Sequence, residues 1–111
     1  MNNTEYYIKE NSWIARIAAY KLKSDSAAIV IGKTIHLHNI AKKEFLKNER
    51  WFKHELKHVE QFREHGFVMF LYKYLLESLK NGYYNNRYEV EARMAEDQNT
   101  HSTSPNSNEI T

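Results

Sequence analysis

The sequence predicts an α+β fold, with about four helices packed on a small β-hairpin or sheet. Three observations predict it. Apolar residues recur at three- and four-residue spacing in blocks between residues 12 and 96. Two short β-branched runs flank a Gly-Lys pair. Gly66 and the pair Asn81-Gly82 separate the helical blocks.

Ser12 is a natural N-cap for a helix through about Leu22, with Trp13, Ile14, Ile17, Ala18 and Leu22 expected on its buried side. Ala28-Ile29-Val30-Ile31 and Thr34-Ile35-His36-Leu37-His38 read as strands, and Gly32-Lys33 fits a two-residue turn with Gly at its first central position. Residues 41–48 are polar and helix-prone and end on Asn48, which can cap a helix over 49–65 that stops at Gly66. A further helix is expected from Phe67 to about Lys80. Its residues Phe67, Phe70, Leu71, Tyr74, Leu75, Ser78 and Leu79 fall at helical spacing, which marks it as the central packing element. Asn85 or Asn86 caps a last helix through about Glu96. One domain over residues 1–97 accounts for these elements. Residues 98–111, with Ile110 as the single aliphatic, read as a disordered polar tail.

Composition narrows the functions available. A chain of 111 residues, 41% hydrophobic with 8 Tyr, 5 Phe and 2 Trp, can bury one modest core. Its 16 basic and 14 acidic side chains leave a formal charge of +2, which does not make a nucleic-acid footprint. Without cysteine there is no disulfide frame, thiolate metal site or thiol redox chemistry. The first residues lack a basic start followed by an apolar stretch, which argues against a signal peptide. The longest apolar segment, Phe67 to Leu76, is interrupted by Lys73 and is about half the ~20 residues a membrane span needs. A soluble cytoplasmic protein is expected.

The run His54-Glu55-Leu56-Lys57-His58 carries the chemistry. Residues four apart share a helix face, so His54 and His58 can direct two imidazoles at one ion, with Glu55 beside them to deprotonate a water. Such a site needs a third protein ligand. His65 lies roughly 10 Å further along the axis at ~1.5 Å per residue, too far for the same ion, and suits the helix end instead. Gln61 and Glu64 occupy the positions at which a metzincin has Gly and His. Downstream, Glu89 and Glu91 diverge by about 200° round a helix, so only one can face the ion. Glu89 stands three residues after Asn86, where it could equally close a capping box, and Glu91 suits the surface or a supporting role.

This arrangement resembles the gluzincin metallopeptidases, in which H-E-x-x-H gives two ligands and a Glu on a later helix gives the third. The segment Glu89-Val90-Glu91-Ala92-Arg93 is similar to the E-x-x-A-D element of CAAX-type proteases and their small soluble relatives, with Arg93 where Asp is usual. The hairpin preceding His-Glu-Leu-Lys-His-Val-Glu-Gln also resembles the metallopeptidase core domain of bacterial contractile injection systems. The resemblance covers about residues 28 to 96. It implies Zn2+ held by His54, His58 and Glu89, Glu55 as general base, and a peptide or protein substrate. By the same analogy Thr34, His36 and His38, on one strand face before the zinc helix, would pair with extended substrate. Tyr83 and Tyr84, like Tyr88, are candidates to donate a hydroxyl to the developing oxyanion. A zinc-stabilised or metal-free interaction module without turnover is the rival expectation, and a silent domain in a larger secretion assembly is a third.

Overall fold

The computed structural model describes residues 4–98. In chain order they form β1 (Tyr7–Lys9), α1 (Trp13–Leu22), β2 (Ala27–Ile31), β3 (Thr34–His38), α2 (Lys42–Lys47), α3 (Glu49–His65), α4 (Phe67–Asn81) and α5 (Arg87–Glu96). The expected tail falls almost wholly outside the described residues. The α+β class holds: the helices pack on a three-stranded sheet of order β1-β3-β2. The helix-prone segment after β3 forms α2, a helix of its own. None of the helices described is long and apolar enough to cross a membrane.

β2 and β3 pair antiparallel from Ala27↔His38 to Ile31↔Thr34. Gly32, at φ +65°, takes the left-handed position of the two-residue turn, a conformation that is strained for side-chain-bearing residues. β1, which the sequence reading did not include, adds parallel to the other edge of β3. Ile35 and Leu37 point to one face of the sheet and are fully buried with Val30, Phe45, Val59 and Phe62. The opposite face carries His36, whose Nδ1 lies 2.9 Å from Ser12 Oγ. Ser12 also caps α1 by accepting from the Ile14 and Ala15 amides.

Two packing expectations are corrected. The fully buried residues of α1 are Ala15 and Ala19, small enough to bring the helix close to the sheet. Trp13, Ile17 and Leu22 stay largely exposed, and Ile14 and Ala18 are half-buried. In α4 only Phe70 is fully buried, while Phe67, Leu75 and Leu79 of the predicted stripe are exposed. α3 is the central element instead: it touches the sheet, α2, α4 and α5. It starts at Asn48, whose side chain accepts from the Trp51 amide, and stops at Gly66, φ +85°.

Candidate metal centre

α3 and α5 run antiparallel side by side, since Arg50 meets Asp97, His54 meets Glu96, and Gln61 meets Tyr88. This pairing brings Glu89, in the first turn of α5, opposite His54 and His58. Glu89 Oε1 lies 3.1 Å from His54 Nε2 and 3.2 Å from His58 Nε2. One donor atom from each of the three residues lies within 4.8 Å of the others, and the group is almost entirely withdrawn from solvent.

The capping alternative for Glu89 is not realised. Asn86 caps α5 by accepting from the Tyr88 amide at 2.8 Å, while the Glu89 carboxylate turns away to the imidazoles. Its second oxygen, Oε2, accepts from Tyr74 Oη at 2.5 Å. Glu91 does take a supporting role: Gln61 Nε2 donates to it at 2.9 Å, and Gln61 Oε1 lies 2.9 Å from His58 Nδ1. His54 Nδ1 meets Glu96 Oε2 at 2.6 Å. Arg93, which stands where the resembled element has Asp, stacks on the Tyr84 ring outside the site. The carboxylate that braces a histidine comes from Glu96, one turn further along.

These outer partners decide the tautomers. Glu96 and Gln61 Oε1 are acceptors, so each Nδ1 carries a proton, and a neutral imidazole would then present its Nε2 lone pair to Glu89. Two lone pairs and a carboxylate oxygen converging in a buried space repel one another unless a cation lies among them. Either imidazole protons or a metal ion can be that cation. Tetrahedral zinc, with donors at about 2.0–2.1 Å, spaces its ligand atoms by about 3.3 Å, close to the 3.1 and 3.2 Å between Glu89 Oε1 and the two imidazoles. The donor set of two imidazoles and one carboxylate fits zinc.

Electrostatics agree with this picture. Burial opposes protonation of His54, but the Glu89 hydrogen bond, with Glu55 and Glu96, outweighs it and pushes His54 up to about 9. His58 is raised by the same contest between burial and Glu89. For Glu89, burial acts upward, yet hydrogen bonds from His54 and His58 hold it well below the usual carboxylate range. Glu55 is buried beside the group, and that burial pushes it up to about 7 against the pull of His58 and His54.

Tyr83, half exposed, lines the same cleft as Glu89. Tyr84 is not brought to the group; its ring lies under Arg93, 3.9 Å away. Tyr88 is buried against Phe70. The pairing role expected of Thr34, His36 and His38 is corrected, because β3 is the middle strand and both its edges are occupied. β1 and β2 are the edge strands among the described residues, and of the two it is β2 that lines the cleft. His65 stands apart, stacked on Phe70. Tyr74 and Glu96 are contributors that sequence reasoning missed. A signal existed for Glu96, which falls seven residues after Glu89 on the same helix face. No family model, curated protein or solved structure matches this chain.

Proposed function

We propose that this chain is a zinc-dependent metallopeptidase acting on an extended peptide or protein segment. One observation carries the reading: the buried Glu55 lines one cleft together with the converged His54, His58 and Glu89. Zinc held by those three residues would supply a Lewis acid that polarises the scissile carbonyl and lowers the pKa of water towards ~7. Glu55, buried beside these residues, accepts the proton of the attacking water and returns it to the leaving amine as the C–N bond breaks. Glu96 and Gln61 hold the imidazoles in the required tautomer. Tyr83, which lines the same cleft, is the candidate to donate to the carbonyl oxygen as it gains charge. The open edge of β2 offers backbone donors and acceptors to an extended chain.

Glu55→Gln tests the reading. The variant is expected to keep one zinc per chain while peptide cleavage falls by about 10²-fold or more. Equal behaviour of the two proteins, with zinc bound and nothing cleaved, favours an interaction module. Less than stoichiometric zinc after loading overturns the peptidase and the zinc-stabilised module alike, leaving a metal-free one.

A further inference from the structure

The cleft that reaches the three ligands has a volume of ≈ 560 Å³, within the range of small-molecule sites. Its walls are apolar. Ile14 and Ile17 of α1 face it from one side, Leu71 and Leu75 of α4 from the other, and the aliphatic residues of β2 complete it. Apart from His54, Glu55, His58 and Glu89, Lys21 is the one charged residue lining it among the described residues. The corrected packing explains the opening. α1 approaches the sheet through alanines and α4 anchors through Phe70, so both helices leave their larger aliphatic residues turned to a shared gap. Ile17 is 49% exposed and Leu75 60% exposed at its mouth.

We propose that this cleft selects peptide segments carrying several bulky apolar side chains, an inference that rests on the peptidase reading for the occupant being a peptide. The same cleft is lined by His54, Glu55, His58 and Glu89, so whatever seats against its walls lies next to the reacting group. A charged side chain seated against its apolar walls would lose water with Lys21 as the one charged group there to meet it, whereas an aliphatic or aromatic one loses nothing by leaving water. Each bulky apolar side chain so buried raises affinity by about tenfold or more.

The test uses two labelled peptides of equal length, one alternating Leu and Phe with Ser, the other with Glu in place of Leu and Phe. Fluorescence anisotropy measures their binding to the zinc-loaded Glu55→Gln chain. The apolar peptide is expected to bind at least 10-fold tighter. Ile17→Asp and Leu75→Asp, each added at an exposed position that the fold tolerates, are expected to remove at least 10-fold of that affinity. Equal affinity for the two peptides, binding of neither, or unchanged affinity in the Asp variants overturns the inference. A chain that dimerises through this face and binds neither peptide overturns it as well. The wild-type zinc-loaded chain separates the two readings. Apolar binding without cleavage keeps the selectivity and removes the peptidase, while equal cleavage of both peptides does the reverse.

Discussion

Tyr74 Oη donates to Glu89 Oε2 at 2.5 Å, while Glu89 Oε1 faces the His54 and His58 imidazoles at 3.1 and 3.2 Å. The phenol therefore divides the carboxylate, holding one oxygen and leaving the other for a cation. Burial and then the negative charge of Glu89 raise the Tyr74 hydroxyl, so it remains a donor across the working pH range. Tyr74→Phe keeps the ring packing against Phe70 and removes only the donor. We expect zinc affinity to fall by about 10-fold, with the melting temperature of the zinc-free protein changed by a few degrees at most. Competition with a chromophoric chelator measures it; unchanged affinity would mean that Tyr74 does not position the carboxylate.

Glu96 bears on the same site through His54. Glu96→Ala leaves His54 Nδ1 without its 2.6 Å acceptor and frees the ring to rotate. Zinc affinity is expected to drop about 10- to 100-fold. Arg50, which pairs with Glu96 and Asp97 from an exposed position, is the control. Arg50→Ala should alter zinc affinity by about twofold or less, because exposed ion pairs contribute little. Equal losses in the two variants would assign the effect to the end of α5 as a whole.

The metal-free protein should respond to pH through the same residues. Both histidines are raised, so the folded chain holds protons that the unfolded chain releases near pH 6.5. Their stabilisation is complete below that pH and is lost as pH climbs through about 9, the His54 value. Glu55 acts in the same direction at lower pH. Raised to about 7, it makes the folded state less stable as pH rises from the ordinary carboxylate value. Glu89, lowered, stabilises above that ordinary value and loses its contribution in stronger acid. Thermal melts with chelator present should therefore decline from pH 6.5 to 9. Melts with zinc should not, since bound metal replaces the imidazole protons, and zinc affinity should rise over the same interval.

Local chemistry made much of this protein legible in its sequence. Asn48 and Gly66 bracket α3, Gly32 fixes the hairpin, and Asn86 rather than Asn85 starts α5, each through a backbone requirement confined to a few residues. The spacing of His54 and His58 placed both imidazoles on one face, and Glu89 was open between cap and ligand until the orientation of α5 was known. What the sequence could not display was partner choice between elements. β1 is three residues long with one half-buried side chain, and its pairing depends on a strand 27 residues away in register, Tyr7↔Thr34. Likewise α4 is apolar around much of its girth, which suggests burial, and only its neighbours determine that most of that surface borders a cleft or water.

Asn86 ties α4 to α5 and so fixes how Tyr74 and Glu89 meet. It is fully buried; its Oδ1 accepts from the Tyr88 amide at 2.8 Å, and its Nδ2 donates to the Tyr74 carbonyl at 3.0 Å and to Ser78 Oγ at 2.9 Å. A lost N-cap costs about 1 kcal/mol, and each further buried hydrogen bond about 0.5–1.5 kcal/mol. Asn86→Ala is thus expected to destabilise the metal-free protein by about 2–4 kcal/mol in urea titrations, and to weaken zinc binding because both ends of the Tyr74–Glu89 contact lose their anchor. Asn86→Asp separates the two roles. It keeps the cap acceptor but sets a carboxylate oxygen against the Tyr74 carbonyl and Ser78, so its deficit should grow as pH rises and the buried group ionises. If Asn86→Asp were as stable as wild type at neutral pH, the cap alone would matter, and the link between α4 and α5 would have to lie elsewhere.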